Sequence, residues 1–183
     1  MQILTYIRYH ETEQLFKMYP TLKAILESLQ IDLNSIEEQQ TLDDDIYSEC
    51  IGKHGEGIIP PIGHISDTTG NVAIRYKYEA TIIGKQLKSD IIKLSSVIEK
   101  LDLGIKSLTE LQKLILETYY WKESMTWKQV IEILKEHNFY KNKDQAMTER
   151  SKAINKIASI AKIDMDAFNW VMELVNGKTE EGG

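Results

Sequence analysis

The chain has very little of what would fix a secreted, membrane or metal-centred protein. Among 183 residues there is a single cysteine, Cys50, so no intrachain disulfide is available. Nothing approaches the ~18 consecutive apolar residues of a membrane span. The N-terminal stretch Met1 to Arg8 has no basic segment followed by a long apolar core, so no signal peptide is expected and the cytoplasm is the expected location. The three prolines and ten glycines are few, and many of them cluster between residues 52 and 70. Catalytic and cofactor signatures are scarce too. Gly52-Lys53-His54-Gly55-Glu56-Gly57 is glycine-rich but lacks the Gly-Lys-Ser/Thr ending of a phosphate-binding loop. Cys50, His54 and His64 do not have the paired spacing of a strong zinc site. His54 and Glu56 lack a nucleophile or a second paired group. Asp43-Asp44-Asp45 reads as a hydrated acidic run. No cofactor is expected, and the chain does not read as an enzyme.

What remains is ordinary globular material, 42% hydrophobic and 27% charged, with a net charge of -6. That sign argues against a nucleic-acid partner until its distribution is considered. Of 22 Lys/Arg and 28 Asp/Glu, the segment Lys106 to Lys162 holds 11 and 7, or +4, leaving 11 and 21, or -10, elsewhere. A basic C-terminal segment on an acidic remainder would orient a protein on DNA phosphates without supplying sequence preference.

Apolar periodicity divides the chain. Leu22, Ile25, Leu26, Leu29, Leu33 and Ile36 predict a helix over about residues 11 to 40, with Pro20 near the start of its strongest stretch. Residues 41 to 70 have no clear period and predict a long loop, with a short strand near Ile58-Ile59 as one option. Ala80, Ile83, Leu87, Ile91, Leu94, Ile98 and Leu101 then form a heptad-like seam on a helix over about 71 to 104. The two long helices bury their stripes either against each other, as an antiparallel hairpin, or against a second copy as a homo-oligomer. Local closure favours the hairpin.

Shorter helices follow. Ser107-Leu108-Thr109-Glu110 and Thr126-Trp127-Lys128-Gln129 read as capping boxes, in which side chains satisfy the orphan N–H groups of a helix start. Leu108, Leu111, Leu114 and Ile115 make one stripe, and Trp127, Val130, Ile131 and Leu134 another. After a basic turn from Lys135 to Lys143, Asn142 or Asp144 caps a third helix whose inner face is Ala146, Ala153, Ile154, Ile157 and Ala161. A last helix runs from about Met165 to Val175. The fold class expected is all-α: an interaction region over 1–105 containing the hairpin, a helix-turn-helix over 106–176, and a fraying tail over 177–183.

In a helix-turn-helix the third helix enters the major groove, so its outward face must carry hydrogen-bonding side chains. Here that face holds Gln145, Thr148, Glu149, Lys152, Asn155 and Lys156, with Lys135, His137, Lys141 and Lys143 in the turn placed for phosphate and Arg150 expected to snorkel out to one. A polar helix face with lysines is more often simply solvated, so periodicity and charge alone do not decide the matter.

Several motifs add to this. Leu111-x-x-Leu114-Ile115-Leu116-Glu117-x-Tyr119-Tyr120 followed by Met125-Thr126-Trp127-Lys128-x-Val130 resembles region 4 of sigma-70 factors, and Ala153-Ile154-Asn155-Lys156-Ile157 resembles the end of its recognition helix. Tyr19-Pro20-Thr21-Leu22-Lys23-x-Ile25-Leu26-x-x-Leu29 and Ser66-Asp67-Thr68-Thr69-Gly70-Asn71-x-Ala73-Ile74-Arg75 resemble the opening and the linker of phage transcriptional regulators of the RinA/ArpU type. The resemblance spans about residues 13 to 163. It implies a late-gene activator or sigma-like factor that binds double-stranded DNA and contacts RNA polymerase. Three features depart from it: the stretch from Leu134 to Ala146 is about five residues longer than the usual turn, Ile131 stands where a small residue is expected, and Arg150 falls where many such helices carry an apolar residue.

Overall fold

The chain folds as helices throughout its described residues. A computed structural model describes residues 6–52, 68–122 and 125–180. Their helices are α1 (Tyr9–Gly52), α2 (Thr68–Lys106), α3 (Glu110–Tyr120), α4 (Trp127–Glu136), α5 (Lys143–Ala161) and α6 (Met165–Glu180). Among these residues the only extended pairing is an isolated antiparallel bridge between Tyr6 and Asp164. The expected all-α class holds. The Ile58-Ile59 strand, and His54, Glu56 and His64, lie outside the described residues.

α1 runs on past its expected end, through Asp43-Asp44-Asp45 to Gly52. Aspartate is a mediocre helix former but not a breaker, and no Gly or Pro intervenes before Gly52. Pro20, at the start of the strongest apolar stretch, lies inside α1. Proline has no N–H, so the carbonyl of Phe16, four residues earlier, loses its helical partner. The indole of Trp121 takes over that role, its Nε1 donating to the Phe16 carbonyl oxygen at 2.9 Å. The Trp121 ring stacks on Phe16 and Tyr19, with centroids 4.7 and 5.5 Å away.

The chain separates into two compact units. One comprises Met1–Ile25 with Lys93–Gly183, and the other is Leu26–Ile92. In the second unit, Lys88 of α2 pairs with Glu37 of α1 at 2.7 Å, and a Cβ added to Gly84 would lie 3.9 Å from Ile36 Cγ2. The heptad-like seam divides accordingly. Leu94, Ile98 and Leu101 are buried in the first unit, whereas Ile83, in the second, is 52% exposed.

The first unit holds most of the core. Leu15, Phe16 and Leu22 of α1, Leu94 and Leu101 of α2, and Ile163 are fully or almost fully buried. α2 approaches α5 closely at Gly104, where an added Cβ would stand 2.9 Å from Ile157 Cγ2 and 3.1 Å from Ile157 Cα. The Gly104 carbonyl also accepts from Ser107, through its backbone N–H and its hydroxyl, which closes the turn into α3. The capping box at α3 therefore falls two residues later than expected: Thr109 is the cap and exchanges hydrogen bonds with Gln112.

α3, α4 and α5 share a core made of Ile115, Val130, Leu134 and Ala146, with Leu111, Leu114, Tyr119, Trp127, Ile131 and Phe139 packed around it. Ile131, the residue out of pattern, is accommodated there. α4 starts at the expected Thr126–Gln129 box, and α5 starts at an Asn142–Gln145 box. The long connection between them is ordered by a left-handed residue, Asn138 at φ 64°. It lets Phe139 N–H return to the Leu134 carbonyl at 2.7 Å while the Phe139 ring packs on the shared core. The extra length of this segment is thus spent on an anchored turn.

Beyond α5, Lys162 adopts the left-handed region and Ile163 turns inward. The Ile163 carbonyl accepts from Ile7 N–H at 2.9 Å, and Asp164 caps α6 by accepting from Ala167 N–H at 2.8 Å. Phe168 and Val171 of α6 are buried, as their spacing predicts.

Candidate nucleic-acid interface

Helical geometry sorts the residues of α5. Ala146, Ala153, Ile154, Ile157 and Ala161 are buried. Gln145, Thr148, Lys152, Asn155 and Lys156 are exposed, at steps of three or four that keep them on one side of the helix. Lys143 is exposed in the first turn, and Lys141 is half-buried in the connection before it. These seven residues are brought together along α5 and its entry, four of them cationic.

Their hydrogen bonds limit what each can offer. Gln145 Oε1 accepts from Asn142 N–H at 3.2 Å, while Gln145 N–H donates to Asn142 Oδ1 at 2.9 Å. A bidentate pair with adenine needs both the amide oxygen and the NH2 of Gln145. The capping bond therefore has to open before Gln145 reads a base in that way. The Thr148 hydroxyl donates to the Asp144 carbonyl at 2.8 Å and keeps its accepting capacity. Lys156 donates to the Ser107 carbonyl, which tethers it to the α2–α3 connection.

Glu149 and Arg150 do not belong to the outward set. Glu149 accepts from Lys152 at 2.8 Å and from Gln112 of α3 at 3.1 Å. The Lys152 hydrogen bond lowers its pKa, burial opposes that shift, and Gln112 reinforces it. Within this ion pair Lys152 is 61% exposed and Glu149 23%, so the lysine remains reachable while the carboxylate lies below it.

Arg150 is turned inward, contrary to the expectation that it snorkels to a phosphate. Its Nη2 donates to the Tyr9 hydroxyl at 3.1 Å and lies 3.6 Å from Glu13 Oε1, with the two charged side chains only 19% and 13% exposed. The guanidinium also sits over Tyr119 and Tyr120, 5.0 and 5.8 Å from their centroids. The reason is angular: Arg150 is two residues from both Thr148 and Lys152, about 200° round the helix from each. Burial alone would lower its pKa, but the Tyr9 hydrogen bond and the surrounding Tyr120, Tyr9 and Glu13 raise it, so it stays charged.

Sequence reasoning passed over three exposed apolar side chains near this face: Tyr140, 76% exposed in the α4–α5 connection, and Met147 and Ile160 on α5. Met147 and Ile160 carry a readable signal, since neither falls on the inner line of Ala146, Ala153, Ile154 and Ile157. Tyr140 carries none beyond its place in a polar turn.

Among the described residues, no group of three or more His, Cys, Asp or Glu side chains could hold a metal ion, and no helix is long and apolar enough to cross a membrane. The geometry defines an all-α protein with a three-helix unit presenting a lysine-bearing polar ridge. No family model matches the chain, and the searches of curated proteins and of solved structures give no match either.

Proposed function

We propose that the chain is a sequence-specific DNA-binding transcriptional regulator, a phage or prophage late-gene activator or sigma-like factor, with α3–α5 as its helix-turn-helix. One observation carries this reading: Gln145, Thr148, Lys152, Asn155 and Lys156 form an exposed ridge on α5 directly opposite its buried line. A helix with side chains is ~10–12 Å across and a major groove ~12 Å wide, so such a ridge fits. In this arrangement Thr148, Asn155 and a released Gln145 meet base edges, and Lys141, Lys143, Lys152 and Lys156 meet phosphates. The exposed faces of α1 and α2, which carry Ile31, Ile82, Ile83 and Ile92, are left for RNA polymerase or for self-association.

The test is duplex binding by fluorescence anisotropy across a salt series, using a sequence recovered from a random-sequence library. Four phosphate contacts give a log–log slope of about -3 to -4. Lys143→Ala and Lys152→Ala should each reduce that slope by about 1. A flat salt response, with neither variant weakening binding, rejects the reading.

A second reading is a protein-interaction module that binds RNA polymerase or another regulator without touching DNA. Exposed Tyr140, Met147 and Ile160 favour it, as does the partial neutralisation of Lys152 by Glu149. Nuclease-resistant co-purification with polymerase, lost in Met147→Asp but not in Lys152→Ala, would select it.

A further inference from the structure

We infer that Arg150 is the positioning residue of α5, locking the ridge in register through the first turns of α1 and the end of α3. This deepens the proposed function and rests on it for its consequence in DNA binding; the lock itself stands on geometry alone.

Arg150 is the point where three helices meet one charge. Tyr9, the first residue of α1, accepts from its guanidinium, and Glu13, one turn on, supplies the counter-charge. Tyr119 and Tyr120, the last residues of α3, lie against it. Glu13 is itself held by the Tyr120 hydroxyl, which donates to it, and by Lys17 at 3.6 Å. Arg150 Nε is buried with no hydrogen-bond partner. The contacts of Arg150 to Tyr9 and Glu13 both run through Nη2, at the far end of the side chain, while the guanidinium lies over Tyr119 and Tyr120, so the planar group fixes the rotation of α5 relative to Tyr9 and Glu13. Thr148 and Lys152 lie on the other side of the same two turns, so rotating α5 about its axis misdirects them together.

The experiment uses the full chain with Arg150→Lys, Glu13→Gln and Tyr9→Phe, the last removing a single hydroxyl so that folding is preserved. Lysine keeps the charge but lacks the planar guanidinium that lies over Tyr119 and Tyr120. Hydrogen exchange without DNA should rise roughly two- to thirtyfold at amides 145–156 while α6 is unaffected. A uniform rise across helices α3 to α6, or no rise, overturns the lock. In the binding assay, affinity for the selected duplex relative to poly(dI-dC) should fall by a similar factor with the salt slope unchanged. A slope lower by about 1 would make Arg150 a phosphate contact and overturn its positioning role. If the wild-type chain binds no duplex at all, the DNA reading fails, and the exchange measurement still decides the lock.

Discussion

Trp121 Nε1 donates to the backbone carbonyl of Phe16, the carbonyl that Pro20 leaves without a helical partner. A long helix with an internal proline is thereby kept in its hydrogen-bonding balance by a side chain more than 100 residues away. The proline and the tryptophan are coupled through an atom that belongs to neither.

That coupling is measurable in a double-mutant cycle. Trp121→Phe leaves a buried carbonyl unsatisfied, which costs about 1–3 kcal/mol beyond the lost ring area. Pro20→Ala supplies an N–H that takes the same carbonyl, so Trp121→Phe should cost about 1 kcal/mol less in that background. Chemical denaturation of the four proteins gives the coupling. Additivity within ~0.5 kcal/mol would show that the indole bond does not answer the proline.

Gly104→Ala sets two effects against each other. Alanine favours a helix by about 0.5–1 kcal/mol over glycine. The new Cβ, however, meets Ile157 Cα at 3.1 Å, and a backbone atom cannot swing aside. Overpacking of this kind costs about 1–3 kcal/mol, so a net loss of about 1–2 kcal/mol is expected. A neutral or stabilising result would mean that α2 and α5 separate freely at this point.

Alkaline pH should weaken the fold through Tyr120 and Tyr19. Burial raises both pKa values, and their hydrogen bonds to Glu13 and Asp102 raise them further. A raised folded pKa favours the neutral form in the native state. The stabilisation is therefore complete below the unfolded value of about 10 and is lost as pH rises above it. The denaturation midpoint should fall as pH rises above about 10, and less steeply in Tyr120→Phe. Equal slopes in the two proteins would assign the loss to other groups.

Much of the C-terminal part was legible because its signals are local. The Thr126–Gln129 box forms as read, and of the two candidate caps of α5, Asn142 and Asp144, it is Asn142 that serves, in a box with Gln145. The buried line of α5 follows from spacing alone. The box placed at Ser107 was misread because Ser107 and Thr109 have the same chemistry. What separates them is that the Gly104 carbonyl captures the serine hydroxyl, a feature of the incoming helix. The extension of α1 beyond residue 40 is not legible because the apolar period stops there, although loss of an apolar stripe breaks no backbone hydrogen bond. Arg150 was misassigned because an arginine on a basic helix is attracted equally by phosphate and by a distant carboxylate. Only the placement of Tyr9 and Glu13 beside it decides the matter. The Trp121–Phe16 bond was invisible for the same reason, since it spans 105 positions.

The backbone pairing of Ile7 with Ile163, together with the contact of Tyr9 with Arg150 across 141 positions, bears on how the molecule is made. At ~5–20 residues per second, the first turns of α1 leave the ribosome roughly 7–28 s before the arginine that completes their contacts. Tyr9 and Glu13 must wait through that interval without the guanidinium that they share. A polypeptide interrupted before α5 would leave Glu13 without its arginine and the Ile7 N–H without the Ile163 carbonyl, and chaperones or proteases would meet it first.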